Sequence, residues 1–409
     1  MKILIISQYF WPENFRINDL ALGLQELGHK ITVLTGKPNY PGGSFYPGYG
    51  FLRKNKENFH GIDLIRVPLF PRRNGRKLNL ALNYLSFAFF ACLIAPFVCR
   101  ERYDLIFVYE PSPVTVGFPA LLLKEIKKIP IFIWVQDLWP ESLSATGAVK
   151  SMFILNFVEI MVRFIYRSCD IILVQSRAFS SSIEKLGVDS KRIFYFPNSA
   201  EELYQPVEDG KEIPEFADLP AGFKVMFAGN IGAAQDFPSI IEAAFLLKDL
   251  PDIHWLIVGN GRMLPWVKNE VKKRGLEKTV HFLGRHLVEA MPAFFARAQV
   301  MLATLKKEPI FALTIPAKIQ SYMACARPVI AALDGEGARV VEESGAGFAC
   351  PAEDPEALAK TVLRMYNLSV AERETMGRFG REYFEKNFER HLLLKQLDVW
   401  LKARLWENK

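Results

Sequence analysis

No cysteine of this 409-residue chain has a partner at C-x-x-C spacing; the five, Cys92, Cys99, Cys169, Cys325 and Cys350, are scattered and odd in number. That argues against a disulfide framework or a paired-thiolate zinc site and points to a reducing compartment. Asp-x-Asp is also absent, and the six histidines, His281 and His286 among them, lack metal-ligand spacing, so no metal-dependent transfer site is expected. The opening MKILIISQYF holds one lysine and an apolar run too short for a signal peptide, so nothing in it directs secretion. No Gly-rich dinucleotide fingerprint follows that run. Short-period repeats and low-complexity tracts are missing, and with 50% hydrophobic and 23% charged residues the whole chain should fold.

What is present is a rhythm of short apolar runs. Lys2–Ser7, Lys30–Thr35, Asp63–Val67, Asp104–Tyr109, Ile131–Val135, Asp170–Gln175 and Arg192–Phe196 are β-branched or aromatic and separated by helix-length segments. That pattern reads as buried parallel strands of a doubly wound α/β sheet. From Asn198 to Gly222 it breaks into acidic residues with Pro206, Pro214 and Pro220, which suits a linker. It resumes with Phe223–Ala228, His254–Val258, Val280–Leu283, Val300–Leu305, Pro328–Leu333 and Gly347–Cys350, and Pro355 to Trp406 has helical period. Length alone favours two domains. They are placed at residues 1–200 and 201–385, with a terminal helical segment 386–409.

In open α/β sheets ligands bind beyond the carboxyl ends of strands, so the residues after each run are the candidates. The first run enters Gln8-Tyr9-Phe10-Trp11-Pro12-Glu13-Asn14, where Glu13 and Asn14 would meet a substrate unless this is an ordinary βα turn. The fifth ends in Gln136-Asp137-Leu138-Trp139-Pro140-Glu141-Ser142; Asp137 could take a proton from an acceptor hydroxyl or merely cap the next helix, a role that suits Glu141 better. In the second half, Gly229-Asn230-Ile231-Gly232 through Gln235 and Gly259-Asn260-Gly261-Arg262 place glycines where a phosphate can approach backbone N–H groups, or simply make tight turns. Lys318, early in the helix after Pro316, could reach a diphosphate or stand in solvent.

In their order, QYFWPEN, KPNYPGG (Lys37 to Gly43), QDLWPES, Pro197-Asn198, AGNIG and IPAKIQSYMA-to-RPVIA resemble the family-four glycosyltransferases of GT-B fold, specifically the bacterial WbuB-like transferases of O-antigen and capsule synthesis. The resemblance covers essentially the whole chain. It implies two Rossmann-like domains facing a cleft, with a C-terminal helix crossing back to the first. It also implies metal-free, cofactor-free transfer with retention from a nucleotide-sugar, here a UDP-linked N-acetylated deoxysugar such as UDP-N-acetylfucosamine, to a polyprenyl-diphosphate-linked acceptor. The broad family grips the donor diphosphate with Gly-Arg and a Lys six residues after the Gly; this sequence has Gly229, Asn230 and Gln235 there. Lys318 is then the preferred cation, with Arg262 and Arg285 in reserve. The E-x7-E pair falls on Leu313 and Ser321, and Gln136 replaces the histidine before Asp137.

From Leu78 to Val98 the chain reads LNLALNYLSFAFFACLIAPFV, with Arg72, Arg73, Arg76 and Lys77 before it and Arg100 and Arg102 after it. Asn79, Asn83, Ser86 and Pro96 argue against a spanning helix, leaving one that lies on the cytoplasmic leaflet of an anionic inner membrane, a core helix, or both on different faces. VKSMFILNFVEIMVRFIY, Val149 to Tyr166, could join that surface. The net charge of +7 suits such an anionic partner, while no nucleic-acid motif accompanies it. Two rivals stay open: a UDP-sugar 2-epimerase of the same fold, and a polyanion-binding protein without activity.

Overall fold

The computed structural model describes residues 1–73, 76–145, 149, 151–207 and 221–407. The chain divides into two units, Met1–Pro197 with Leu394–Lys409, and Asn198–Leu393. The divisions fall at 197/198 and 393/394, where the sequence suggested 200/201 and 385/386. Most of the expected linker, including Pro214 and Pro220, lies outside the described residues, as does Lys150.

Among the described residues the first unit holds β1 (Lys2–Ser7), β2 (Lys30–Gly36), β3 (Lys56–Phe59), β4 (Ile62–Val67), β5 (Leu105–Glu110), β6 (Ile131–Val135), β7 (Ile171–Val174) and β8 (Ile193–Tyr195) in the order β3-β4-β2-β1-β5-β6-β7-β8. The central strands are buried on both faces, which is why they read as unbroken apolar runs. The exception is β3, which the sequence rhythm missed. Its KENF is short, mostly polar and antiparallel to β4, a blunted edge strand with nothing hydrophobic to signal it. Strand order reverses between β1 and β5, the position where such sheets bind ligands.

The second unit holds β9 (Phe223–Ala228), β10 (Ile253–Val258), β11 (Val280–Gly284), β12 (Val300–Thr304), β13 (Val329–Ala332) and β14 (Gly347–Cys350) in the order β11-β10-β9-β12-β13-β14, with every pairing parallel. Its reversal lies between β9 and β12. Three helices close the chain, Pro355–Tyr366, Val370–Asn387 and Arg390–Glu407. Asp354 caps the first, and Ser369 with Glu372 forms a capping box that starts the second.

Residues from Leu394 onward pack within the first unit. Trp400 meets the rings of Phe194 and Phe196, Asp398 accepts from the His29 imidazole at 2.9 Å, and Arg404 reaches Asp170 at 3.3 Å. Gly23 makes room for Leu394: a Cβ there would lie 2.4 Å from a leucine methyl.

On one face of the first sheet the helices Lys77–Val98 and Met152–Ser168 flank Gly117–Lys127. The Lys77–Val98 helix is long and apolar enough by composition to cross a membrane, yet it docks on the unit through Asn83, Ser86, Phe87, Ala88, Ala91 and Ala95. Asn83 is fully buried and donates to Phe70 O at 2.6 Å while accepting from Gln8 at 2.7 Å. The opposite face leaves Leu78, Leu82, Leu85, Phe89, Leu93 and Phe97 exposed at three- and four-residue spacing.

Candidate active site

In the first unit the chain leaves β1 through a turn held by its backbone. Arg66 donates to Trp11 O, Trp11 N–H donates to Asn18 Oδ1 at 3.0 Å, and Asn18 Nδ2 donates to Glu13 O at 2.7 Å. This fixes Glu13, 1% exposed, whose Oε1 accepts from the N–H groups of Asn39 (2.8 Å) and Tyr40 (2.7 Å). Burial outweighs those bonds and raises its carboxyl to about 7; its Oε2 has no partner among the described residues. Lys37, the first residue of KPNYPGG, is structural: its ammonium donates to Arg53 O, Lys54 O and Asn55 Oδ1 at 2.5, 2.8 and 2.7 Å. Asn14 is exposed beside Glu13.

Asp137 follows β6 directly. Burial raises its carboxyl to about 6, against the pull of the Ser142 and Trp139 side chains, and Glu141 nearby adds repulsion. A group poised there is mostly ionised at neutral pH yet basic enough to share a hydroxyl proton. Among the described residues it makes no direct contact with Glu13. The two are linked through rings: Tyr9, which stacks on Phe15 at 4.8 Å and bonds with Tyr84, and Tyr84, whose ring lies 6.2 Å from Trp139.

The sequence reading missed Glu110. It ends β5, on the far side of the strand reversal from Gln8, and is wholly buried. Its Oε2 accepts from the Tyr166 hydroxyl at 2.9 Å, its Oε1 has no partner among the described residues, and its backbone carbonyl accepts from Gln136 N–H at 2.9 Å. Burial drives its carboxyl far above the usual range, with the charge of Asp137 adding to the rise. A neutral acid thus stands beside an ionised one, as in other carboxyl pairs whose surroundings separate their roles. The signal was available, since an acid at the end of an otherwise apolar strand faces the ligand edge.

In the second unit the turns after β9 and β10 interlock. Gly229 N–H donates to Val258 O and Ile231 N–H to Asn260 O, both at 2.9 Å. Gly259 has φ +141, and a Cβ on it would fall 1.9 Å from Gly229 O, so only glycine fits. The N–H groups of Asn230 and Gly232 have no partner among the described residues, the kind of donor that a phosphate can take up.

Lys318 lies close by. Its ammonium donates to Gln235 Oε1 at 2.5 Å, sits 3.9 Å above the Phe227 ring and would lie 3.5 Å from a Cβ on Gly229. Gln235 in turn is fixed by its carbonyl, which accepts from Thr304 Oγ1 at 2.5 Å across the β9/β12 reversal. Lys318 is therefore a positioned cation rather than a solvated one, and burial lowers its ammonium to about 7. Pro316 stands at the N-cap position of the Ala317–Ala324 helix that carries it, without a side-chain cap bond.

The other candidates are less convergent. Arg262 and Arg285 are exposed just after β10 and β11 and make no ion pair among the described residues. Ser321 is buried with its hydroxyl donating to Ala317 O at 3.3 Å, so it serves its own helix. Among the described residues no group of three His, Cys, Asp or Glu could hold a metal ion.

The two halves match two family models, "Glycosyl transferase 4-like domain" over residues 14–199 and "Glycosyl transferases group 1" over 222–367. The chain is a glycosyltransferase of this family. It is 27% identical to the probable glycosyltransferase WbjE of Pseudomonas aeruginosa over 353 residues, 83% of this chain and 84% of WbjE. It is 24% identical to the putative colanic acid biosynthesis glycosyl transferase WcaI of Escherichia coli K12, over 97% and 98% of the two chains. Among solved structures, sucrose-phosphate synthase from Thermosynechococcus elongatus superposes with a TM-score of 0.75 at 19% identity over the whole of both chains. Anabaena HepE, crystallised with UDP, does so at 0.70 and 16% over 98% and 100%. The fold of this glycosyltransferase is GT-B.

A diphosphate bound against Lys318 would carry a pH signature. Near pH 8, about one unit above its lowered value, Lys318 is mostly neutral when nothing is bound, and an arriving diphosphate would recharge it. UDP binding should then take up close to one proton, measured by titration calorimetry in buffers of different ionisation enthalpy. Uptake should shrink below pH 7, where the lysine is already charged, and disappear in Lys318→Met.

Proposed function

We propose that this glycosyltransferase moves a sugar from a UDP-sugar to a polyprenyl-diphosphate-linked saccharide in bacterial surface polysaccharide synthesis, without a metal and with retention. UDP-N-acetylfucosamine or a related N-acetylated deoxysugar is the proposed donor. The turns at Gly229–Gly232 and Gly259–Gly261 cradle the diphosphate, and Lys318 neutralises it as the bond to the sugar breaks. Asp137 accepts the acceptor proton, Glu13 orients the acceptor, and Glu110 holds the Gln136–Asp137 backbone. WbjE and WcaI, by name a glycosyltransferase and a colanic acid glycosyltransferase, support the setting, and HepE, which binds UDP, supports the nucleotide.

The observation that carries the lipid-linked acceptor is the exposed apolar layer of the first unit. Phe89 on the Lys77–Val98 helix is 63% exposed and Phe153 on Met152–Ser168 is 82% exposed, with Leu122 and Ile126 exposed on the helix between them. Basic residues flank it at Arg73, Arg76, Lys77, Arg100 and Arg102. An apolar face with a basic border suits the boundary of an anionic leaflet and supports the reading of a cytoplasmic enzyme peripheral on the inner membrane.

The test is co-sedimentation with phosphatidylglycerol vesicles. Leu85→Glu with Phe89→Glu should reduce vesicle binding at least about tenfold, and Arg73→Glu with Arg76→Glu and Lys77→Glu should do so in a salt-sensitive way, at ~1 kcal/mol per basic residue. Unchanged binding in folded variants would remove the membrane from the account.

A further inference from the structure

One arginine at the head of the apolar helix is built differently from its neighbours. Arg66, on β4, has its guanidinium taken up by Glu57, Gly36 O and Trp11 O and is structural. Arg72 has no carboxylate within reach among the described residues. Its guanidinium is instead walled by three tyrosine rings, at 4.9 Å from Tyr40 and 5.9 Å from both Tyr9 and Tyr84. A single bond, 3.1 Å to the Tyr9 hydroxyl, occupies one of its five N–H donors. The backbone beneath is fixed, because Arg72 N–H donates at 3.1 Å to Asn39 Oδ1, which also accepts from the buried Asn83 at 3.3 Å.

A half-buried cation with most of its donors unoccupied calls for an anion, and a planar fork stacked on aromatic faces suits a phosphate better than a point charge would. The position narrows the choice. Arg72 lies five residues before the start of the Lys77–Val98 helix, and Tyr84 is on that helix. Tyr84 also reaches the Trp139 ring beside Asp137, and Tyr9 leads into the turn that carries Glu13. In a lipid-linked saccharide the diphosphate sits between the sugar and the hydrocarbon tail. The cage likewise joins the two ends, taking Tyr84 from the apolar helix and Tyr40, whose N–H bonds to the Glu13 carboxylate, from the other side.

We propose that Arg72, with Tyr9, Tyr40 and Tyr84 around it, is the subsite that holds the diphosphate of the lipid-linked acceptor. This rests on the reading of such an acceptor, and the test separates the two. Farnesyl diphosphate serves as probe, titrated into the full chain with saturating UDP occupying the donor turns. Arg72→Gln should weaken its binding at least about tenfold and Arg72→Lys should recover only part, while binding of farnesol, which lacks the phosphates, and stabilisation by UDP stay at wild-type levels.

Binding to phosphatidylglycerol vesicles without a diphosphate lipid should not change in either variant. Equal farnesyl diphosphate binding in Arg72→Gln and wild type, an equal loss of farnesol binding, or a loss confined to the vesicles would each overturn the proposal, the last making Arg72 a general headgroup contact. If Arg72→Gln fails to fold, the same comparison is made with Arg72→Lys, for which undiminished probe binding overturns it. Loss of probe binding in Arg72→Gln, with a wild-type enzyme that glycosylates no lipid-diphosphate acceptor, would keep the subsite and remove the acceptor reading.

Discussion

Lys318→Ala is expected to lower kcat/KM for the donor by about 10²–10³-fold, roughly 3–4 kcal/mol of transition-state stabilisation, the usual loss when one preorganised donor to a developing charge is removed. The size follows from the surroundings. The Gly-Arg and Lys positions with which the broad family grips the diphosphate are Asn230 and Gln235 in this chain. Lys318 bonds to the very Gln235 that stands where the family's lysine would be, which puts its ammonium beside that position. Arg262 and Arg285, exposed and unheld, are poor substitutes. Folding should survive the change, because a lysine held at about 7 by burial costs stability when charged. Steady-state kinetics with a thermal melt checks both points, and a rate near wild type would return the diphosphate to the two arginines.

Asp137→Asn carries the second large effect, a fall in kcat of about 10²-fold or more at unchanged donor affinity, in the range of positioned acid–base groups. The wild-type rate should rise with pH through about 6 as the carboxylate ionises, and that limb should vanish in the variant. The stability change has the opposite sign. A carboxyl raised by burial costs the fold stability as pH climbs from its ordinary value through about 6, and the neutral amide escapes that cost. Asp137→Asn should therefore melt no lower than wild type at neutral pH, so lost activity cannot be ascribed to unfolding. An inactive variant that melts much lower, or an active one with an unchanged acid limb, would take Asp137 out of the mechanism.

Much of the fold was legible because doubly buried parallel strands leave continuous apolar runs, and β1, β6, β9 and β14 match their sequence spans residue for residue. The polar edge strand β3 left no such trace. Single strand-end features of the candidate site were legible too, such as Asp137 after β6 and the glycines after β9 and β10. Relations across the chain were not. Lys318 and Gln235 lie 83 residues apart, Glu110 and Tyr166 lie 56 apart, and the rings around Arg72 come from positions 9, 40 and 84. No local period or spacing announces such pairs, because packing in three dimensions makes them. KPNYPGG shows the converse: a specific-looking motif whose lysine is wholly engaged in holding a loop.

Transfer from a nucleotide-sugar to a lipid-linked acceptor can be followed in a single incubation. The purified chain is given UDP-N-acetylfucosamine and related UDP-sugars with a polyprenyl-diphosphate-linked saccharide and excess chelator, and products are followed by mass and by anomeric NMR. Release of UDP and a lipid product heavier by one sugar, with the donor's anomeric configuration kept, is expected only when acceptor is present. Donor isomerised without acceptor, or no UDP released from any donor, would contradict it.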